Sequence, residues 1–426
     1  MNQLTIKDGW VIDPKNGINQ QQNIYISDGI IVATGKTAPA NFKALHEIDA
    51  SNKIVCPGLI DLCARVRVPG ADSAQALETE LQSALAGGIT RLVCPPDTRP
   101  VIDLAATALL EQDLANDFNL TRVHPLGAMT RGLSGEVLTD MAMLKEAGCV
   151  GVSNGLKPIT DTLVARRAMQ YASTYDIKVF LTPIDAYLQG NGCIHEGEIS
   201  TLLGLPAIPE SAETVAVARD LALVETANVE AHIHLISSGR SVNMIRNALK
   251  RGLSVSASVA AHHLHLSEED MVAFDSSYKV QPPLRSLKDK QSLREGVKDG
   301  TLKVICSDHQ SRGKDTKLVP FSEASTGMVG FQTLLPLVLQ LAEEKVCKLD
   351  HAIALVTSNP AEQIGIDAGH LSIGAAADLC IFNANETWEV SSDSLLSRGK
   401  NTPFNGKQMR GKVQQTLING KVVFQA

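Results

Sequence analysis

Strands and helices alternate through most of the chain, and this alternation constrains the fold more than any other feature. Apolar runs such as residues 90–94 and 178–181 predict strands, and segments with helical spacing, such as residues 103–116 and 212–227, lie between them. Repeated strand–helix units predict a parallel sheet covered by helices. Over about 300 residues they favour an α/β fold of the (β/α)8 TIM barrel type. A doubly wound sheet is the alternative, but no Gly-x-Gly-x-x-Gly turn follows the first strand.

Both ends of the chain instead have the pattern of β-hairpins. Residues 1–56 contain short apolar runs separated by turns at residues 13–17 and 27–29, with no helical period. Residues 377–382 have the composition of a strand, and residues 415–424 predict a hairpin that turns at Asn419-Gly420. We therefore expect β-rich structure on either side of the barrel sequence.

The composition argues against several classes of protein. The 426 residues have a net charge of −7 without basic clusters, which argues against nucleic acid as a partner. No apolar run is long enough to span a membrane, and residues 1–5 lack the pattern of a secretory signal. The eight cysteines form no Cys-x-x-Cys pair, so we expect a reduced, cytoplasmic compartment.

One stretch in the first predicted barrel strand concentrates polar side chains. Residues 57–70 have the sequence Pro-Gly-Leu-Ile-Asp-Leu-Cys-Ala-Arg-Val-Arg-Val-Pro-Gly. Period-two alternation places Asp61, Cys63 and Arg65 on one face of this strand, with Leu62 on the other. Because active sites of parallel barrels lie where the strands end, we expect these polar side chains at a candidate site.

This stretch resembles the signature of the dihydroorotases, a family of the amidohydrolase superfamily. The resemblance extends over the whole chain through matching segments at residues 195–198, 204–209, 216–220, 281–285, 357–361 and 401–404. It implies that both chain ends pair into one small composite β-sandwich domain, formed by residues 1–56 and 369–426. It also implies that residues 57–368 form the barrel.

The resemblance implies six metal-ligand positions, five of which lack the usual ligand here. In the family, the first strand ends in His-x-His, and an acidic group, two histidines and a catalytic aspartate follow. The corresponding residues of this chain are Cys63, Arg65, Asn154, Thr182, Leu235 and Asp308. A guanidinium stays protonated and has no lone pair to offer, so Arg65 cannot be an ordinary ligand. We therefore expect that the family zinc is lost and that no cofactor is bound.

Four further positions correspond to the substrate pocket of the family, which has an arginine, two asparagines and a histidine there. The residues at these positions are Arg67, Asp97, Gln281 and Arg312. Of the four, Arg67 alone matches the family. The negative charge of Asp97 would repel a substrate carboxylate, so we expect this pocket to be vestigial.

Several other residues invite a chemical role that we do not assign. His232 and His234 share one strand face, but the resemblance points to Leu235 as the residue that faces the barrel interior. We therefore expect both histidines to face helices as hydrogen-bonded residues. The histidines in residues 262–265 are interpreted as framework, and Cys63 as a small buried residue rather than a nucleophile.

Asp308 and the segment that follows it lead to two hypotheses. The first hypothesis is that Asp308 pairs with Arg65, so that an internal ion pair replaces the metal. Loss of one partner would then leave an unpaired buried charge and lower the free energy of unfolding by several kcal/mol. Residues 310–320 are polar, contain Gly313 and follow the catalytic-aspartate position at the barrel mouth. The second hypothesis is that this segment is mobile.

The resemblance implies a non-catalytic pseudoenzyme of pyrimidine biosynthesis, because some bacteria have such a chain as a partner of aspartate carbamoyltransferase. It would be a structural subunit that assembles with or stabilises the transferase. The expected assembly is a hetero-oligomer or a homodimer. One alternative is an active cyclic-amide hydrolase, converting dihydroorotate to N-carbamoyl-aspartate in a remodelled site with Asp308, Cys63 and Arg67. Another is an anion sensor, in which Arg67 and Arg312 bind an anionic pyrimidine intermediate without turnover.

Overall fold

The structure is a computed structural model that describes residues 3–67, 69–70 and 74–426, with Ala74 described by its backbone alone. Val68, in the stretch of residues 57–70, therefore lies outside the described residues. The strands are, in chain order, β1 (Gln3–Asp13), β2 (Ile18–Ser27), β3 (Ile30–Gly35), β4 (His46–Asp49), β5 (Ile54–Pro57), β6 (Leu59–Asp61), β7 (Ala64–Arg65), β8 (Ile89–Cys94), β9 (Arg122–Pro125), β10 (Gly127–Ala128), β11 (Val152–Ser153), β12 (Val179–Leu181), β13 (Ile194–His195), β14 (Ala207–Ile208), β15 (Ala231–Ile233), β16 (Val255–Ala260), β17 (Val304–Cys306), β18 (His309–Gln310), β19 (Leu379–Glu389), β20 (Gln408–Ile418) and β21 (Lys421–Gln425).

Helices occupy most of the chain between the barrel strands. The α-helices are, in chain order, α1 (Ala74–Ala86), α2 (Ala105–Asn116), α3 (Met141–Glu146), α4 (Thr162–Thr174), α5 (Ala186–Gln189), α6 (Glu198–Leu203), α7 (Ser211–Ala227), α8 (Gly239–Lys250), α9 (Leu287–Lys298), α10 (Phe331–Glu343), α11 (Leu349–Ala354) and α12 (Ser358–Ile364). Within the described ranges, none of these helices has the length and apolar character that a membrane span requires.

Strands from both ends of the chain form one mixed sheet. Its order is β21-β20-β19-β5-β1-β2-β3, with β4 beside β1. The two chain ends meet where β5 pairs antiparallel with β19 and Cys56 lies opposite Cys380. Asn419 and Gly420 both have positive φ angles and form the tight turn between β20 and β21 that the sequence predicts. The composite β-rich unit is therefore confirmed, while its boundaries at residues 56 and 369 stay a prediction.

A parallel barrel forms the centre of the chain. β6, β8 and β9 pair in that order, and β10, β11, β12, β15, β16 and β17 pair in a second run. β9 and β10 are one barrel strand interrupted at Leu126, whose N–H bonds to the Cys94 carbonyl of β8. On the other side, β7 pairs with β18, and the Asp61 carboxylate accepts hydrogen bonds from the Ser307 N–H and hydroxyl. The ring is closed, so the TIM barrel is confirmed and the doubly wound alternative is wrong.

Side chains of the barrel strands alternate between two layers. Ile60, Leu62, Val93, Phe180 and Val304 pack together inside the barrel. Neighbouring residues of the same strands, such as Leu59, Leu92 and Ile305, belong to the larger apolar cluster that they form with the surrounding helices. Strand alternation therefore separates the interior side chains from those that face helices. It is interrupted between β6 and β7, where Leu62 and Cys63 both reach the interior, so the expectation that these two residues lie on opposite faces is wrong.

Candidate active site at the mouth of the barrel

Arg65 is the centre of the candidate site. Its strand, β7, pairs with β18 so that Arg65 lies beside Gln310, which brings the side chain next to Asp308. Arg65 Nη1 lies 3.2 Å from Asp308 Oδ1, and Arg65 Nε lies 2.9 Å from Asp97 Oδ2. Asp308 is fully buried, whereas the Asp97 side chain retains 27% of its exposure. The guanidinium thus links a carboxylate of the interior to one at the mouth.

Burial and charge shift the pKa values of this triad in different directions. Desolvation raises the pKa of Asp308 to about 7, although the Arg65 charge opposes the rise. Desolvation also acts on Asp97, but the Arg65 guanidinium outweighs it and lowers the pKa of Asp97. Burial alone would lower the pKa of Arg65, and the nearby carboxylates reverse this effect and raise it. Arg65 is therefore a permanent cation, while Asp308 can take up a proton near neutral pH.

Cys63 lies next to this ion pair but is not activated by it. Its Sγ atom is 3.9 Å from both Arg65 Nη1 and Asp308 Oδ1. Desolvation raises the pKa of the thiol, and the Arg65 charge only partly offsets this effect. The side chain packs with Leu235 and Cys306 in a small buried cluster. Because a protonated thiol is a poor nucleophile and a poor ligand, this environment supports the interpretation of Cys63 as a small buried residue.

The other positions implied as metal ligands offer little to a cation. Asn154 Oδ1 accepts a hydrogen bond of 2.8 Å from Thr130 Oγ1, and the Asn154 amide donates to the Lys157 carbonyl. Thr182 is half-buried and lines a small cavity together with Asn154. Leu235 has no donor atom and belongs to the buried cluster inside the barrel.

His309 anchors the backbone next to Asp308. Its ring stacks on Phe331 with a distance of 3.7 Å between ring centroids. The Gly330 N–H donates to His309 Nδ1, which assigns the proton of a neutral ring to Nε2. That atom lies 3.1 Å from the Glu80 carboxylate. Asp308 and His309 therefore have different environments, because His309 is held by groups on the helix side of the site while Asp308 faces Arg65.

Three of the four positions implied as substrate-binding come together at the mouth. Arg67 and Asp97 line a cavity of about 350 Å³, to which Arg65 also contributes. Arg312 lies nearby, because its Nη2 donates at 3.3 Å to the side chain of Gln310, which pairs with Arg65 in the sheet. Burial, together with the charges of Arg67 and Arg65, lowers the pKa of Arg312 to about 10. Gln281 instead lines a separate small cavity. The mouth therefore contains three guanidinium groups at the positions that sequence analysis selected.

Comparison with known proteins identifies the family. The profile described as dihydro-orotase-like matches residues 52–241, and the profile of an amidohydrolase family matches residues 253–424. A dihydroorotase-like protein of Pseudomonas putida is 42% identical over 98% of this chain and 98% of its own length. The chain belongs to the dihydroorotase-like family. A dihydroorotase of Geobacter sp. (strain M21) is 41% identical over 99% of both chains.

Solved structures of other amidohydrolases share the fold of this dihydroorotase-like chain. The L-hydantoinase (dihydropyrimidinase) from Arthrobacter aurescens superposes with a TM-score of 0.88 over 100% of this chain and 96% of that chain. A D-hydantoinase superposes with a TM-score of 0.83 over 100% of this chain and 95% of that chain. The sequence identities are 21% and 22%, so these similarities show a common fold alone.

The side chains of this dihydroorotase-like protein do not fit the zinc centre that its family implies. Arg65 places a cation at a ligand position, Leu235 offers no donor, and the Asn154 side chain is occupied by neighbouring groups. Across residues 3–67, 69–70 and 74–426, no three His, Cys, Asp or Glu side chains are arranged to hold a metal ion. The misfit lies in the chemistry of the donors, and the expected loss of zinc stays a prediction.

The expected orientation of two histidines is wrong. His232 and His234 contact the Phe180 ring inside the barrel, with centroid distances of 5.5 and 5.2 Å. Their Nδ1 atoms bond to two serine hydroxyls of β16 at 2.7 and 3.2 Å, so the hydrogen-bonded part of the prediction is confirmed. The helix-facing part fails because Leu235 has a φ of +56°, which breaks the strand alternation. His234 and Leu235 therefore both reach the interior.

The histidines of residues 262–265 belong to the framework of the barrel. His263 Nε2 bonds to the Pro283 carbonyl at 3.3 Å, and His265 Nε2 bonds to the Leu337 carbonyl at 2.9 Å. Desolvation lowers the pKa of each to about 4, so both rings are neutral at physiological pH. These contacts support the interpretation made from the sequence.

The segment of residues 310–320 is tied down at several points. Asn401 Oδ1 accepts a hydrogen bond of 2.9 Å from the Arg312 N–H, and the Asn401 amide donates to the Gln310 carbonyl. Lys317 Nζ bonds to the Ser276 carbonyl at 2.9 Å. The hypothesis that this segment is mobile is not tested by these contacts and stays a prediction.

Sequence analysis missed Glu111, a buried carboxyl group behind the mouth cavity. It is 1% exposed on α2, and desolvation raises its pKa to about 8. Cys94, which lines the mouth cavity, lies beside this carboxyl group. A signal was present, because Ala108, Glu111 and Ala115 follow helical spacing on the buried face of α2. The spacing places a carboxyl group among small apolar residues.

Proposed function

We propose that this chain is a non-catalytic, dihydroorotase-like structural subunit of pyrimidine biosynthesis. In this proposal it has no resident metal, acts in the cytoplasm, and assembles with or stabilises aspartate carbamoyltransferase. The observation that carries the proposal is the Arg65 guanidinium, held between Asp97 and Asp308. The resemblance assigns the position of Arg65 to a metal-binding histidine, so a fixed positive charge stands where a metal ligand is required.

The chemistry of the family explains why this charge matters. Metal-assisted hydrolysis requires a cation that lowers the pKa of its bound water. Arg65 has no lone pair for such a cation, and its own charge repels one. Asp308, at the catalytic-base position, accepts hydrogen bonds from Arg65 and Gln310 through Oδ1. The carboxylate at the catalytic-base position is therefore part of an internal ion pair with Arg65, and this suits a structural role.

The framework around the altered centre supports a scaffold. Arg285 donates to Ser237 Oγ at 2.7 Å and to Glu213 Oε2 at 3.3 Å, and it lies 3.1 Å from His195 Nδ1. His195, Ser237 and Arg285 follow three successive barrel strands, so this buried network holds the loops of the mouth together. A scaffold depends on packing and surface, and neither requires a metal centre.

An active cyclic-amide hydrolase with a remodelled site is the second candidate. A relative that is 41% identical bears the name dihydroorotase. Asp308 Oδ2 is buried without a hydrogen-bond partner among the described residues, and burial raises the pKa of Asp308 to about 7. These two properties suit a general base near neutral pH. Asp308 would then act beside Cys63 and Arg67.

Mixing with the transferase tests the proposal. The purified chain is combined with the aspartate carbamoyltransferase catalytic subunit of the same organism, and the mass is measured by size-exclusion chromatography with light scattering. We expect a stable complex, a higher Tm for the transferase, and no hydrolysis of dihydroorotate by the chain or the complex. A zinc-containing dihydroorotase is the positive control for turnover. Separate elution of the two proteins, together with hydrolysis by this chain alone, would support the second candidate.

A further inference from the structure

Two cysteine thiols meet where the two ends of the chain join. Cys56 on β5 and Cys380 on β19 stand directly opposite each other in an antiparallel pair of strands, and both are fully buried. All eight cysteines of the chain are free thiols. Residues directly opposite in antiparallel strands have Cα atoms about 4.5–5.5 Å apart, and disulfides span about 4.4–6.8 Å between the same atoms. The register therefore places this pair at a distance that a disulfide can bridge.

The two thiols lie on the same face of the mixed sheet. Cys56 and Cys380 belong to the large apolar cluster that includes the helices of the barrel. Their neighbours Val55 and Leu379 belong to the apolar cluster on the other face. Side chains of directly opposite residues project to one side of a sheet. The neighbouring Cys380 thiol, together with burial, raises the pKa of Cys56 well above its ordinary value. The two sulfur atoms are therefore neighbours between the sheet and the barrel.

The pairing of the two strands is fixed close to the cysteines. The Gly58 N–H donates to the Asp378 carbonyl at 2.9 Å, two residues from the cysteine on either strand. The Asp378 carboxylate also lies 3.0 Å from Arg91 Nη2. Because the register is held in this way, the two cysteines need side-chain rotation rather than backbone movement to form a bond.

We propose that Cys56 and Cys380 are a redox modification site, at which a hydroperoxide converts the two thiols into a reversible disulfide between the two ends of the chain. Hydrogen peroxide oxidises one thiolate to a sulfenic acid, as an S–O bond forms, the O–O bond breaks and water leaves. The other thiol then attacks the sulfenic sulfur, the S–S bond forms, the S–O bond breaks and a second water leaves. The two thiols lose two electrons and two protons in total, and the peroxide is reduced to two molecules of water.

Burial decides which oxidant can act and how fast. Both cysteines are fully buried, so we assign a small hydroperoxide rather than a bulky disulfide such as oxidised glutathione. The raised pKa of Cys56 leaves little thiolate, which makes the oxidation slow. The disulfide would therefore form under sustained oxidation, and a dithiol would reverse it. Because the whole barrel sequence lies between the two cysteines, the bond would close a long loop and restrict the unfolded chain. This site is independent of the proposed function, since neither cysteine lines the mouth cavity.

Disulfide mapping on the full chain tests the inference. The reduced native protein is incubated with hydrogen peroxide, the remaining thiols are blocked, and a non-reducing digest is analysed by mass spectrometry. We expect a pair of peptides joined through Cys56 and Cys380, together with a loss of two free thiols per chain. The Tm should rise by roughly 2–5 °C, because a disulfide that closes a long loop stabilises the folded state. Dithiothreitol should reverse both changes.

Three variants make the test specific. Cys56→Ala and Cys380→Ala each remove one partner, so peroxide should produce neither the linked peptides nor the rise in Tm. Cys149→Ala removes another buried thiol and should behave as the native protein does. The Tm of each reduced variant is measured to confirm that it folds, and the mapping of the native protein decides the question even if one variant does not. If Cys56 and Cys380 of the native protein stay reduced, become sulfinic acids or form bridges with other cysteines, the inference is wrong and the proposed function is unaffected.

Discussion

The Arg65 guanidinium donates to the Asp308 carboxylate over 3.2 Å, at a point in the barrel where Asp308 has no exposure to solvent. A second bond, of 2.9 Å, joins the same guanidinium to Asp97 at the mouth. A buried charge is costly unless a partner compensates for it. The stability of the barrel interior therefore depends on Arg65, which stands at a position where the family resemblance implies a metal ligand.

Replacement of Arg65 by methionine should destabilise the protein. Arg65→Met leaves Asp308 buried without its cation, and removal of one partner from a buried pair costs roughly 3–5 kcal/mol. Since Asp308 can take up a proton near pH 7, the loss in the free energy of unfolding should be smaller at pH 6 than at pH 8. Urea denaturation at the two pH values measures this difference.

Two further variants control this experiment. Arg65→Met combined with Asp308→Asn removes both charges and should recover part of the lost stability. Lys7→Met removes one partner of the exposed pair with Glu47 and should change stability little. If Arg65→Met were no more destabilising than Lys7→Met, the ion pair would have no structural role.

The stability of the protein should depend on the titration of Asp308. Its pKa of about 7 lies above the ordinary value of 3.8, so the folded state holds this proton more tightly than the unfolded state. The contribution of this group to the free energy of unfolding is therefore largest below about pH 4 and falls as the pH rises through 7. Asp308→Asn cannot titrate, so the difference between the native and variant profiles should change with pH over this range. Parallel profiles would contradict the raised pKa.

Glu111 should produce a similar dependence at higher pH. Desolvation raises its pKa from 4.5 to about 8, so the native protein loses stability as the pH rises from about 4.5 through 8. Glu111→Gln retains the shape without the charge, and its stability relative to the native protein should increase between pH 6 and pH 9. Thermal denaturation across this range measures the effect. Glu136→Gln, at an exposed position, should show no such trend, and an equal trend in both variants would rule out a special environment for Glu111.

The local pattern of the first barrel strand predicted the centre of the site well. Two-residue alternation placed Cys63 and Arg65 on one face, and the two side chains are in contact at 3.9 Å. The pair of Arg65 with Asp308 was a hypothesis from the sequence, and the structure contains it. The first prediction depends on strand periodicity, and the second on the family resemblance, which implies that both residues stand at metal-ligand positions.

Other parts of the site depend on conformations and contacts that a sequence pattern does not report. The positive φ of Leu235 reverses the expected orientation of His234, and alternation assumes that no such residue interrupts the strand. Asn401 holds the backbone of Arg312 across a separation of 89 residues. Asp97 was assigned to a vestigial substrate pocket, and its bond to Arg65 depends on a tertiary contact between two strand ends. Local periodicity contains no information about these long-range pairs.

The metal content of the native protein tests the central claim most directly. The protein is purified without chelator, zinc is measured by plasma mass spectrometry, and hydrolysis of dihydroorotate is assayed on the same sample. The account predicts less than about a tenth of an equivalent of zinc, as expected for side chains that cannot form a site, together with no turnover. About one equivalent of zinc or more, with turnover, would contradict it and would mean that ligands other than those considered hold the metal.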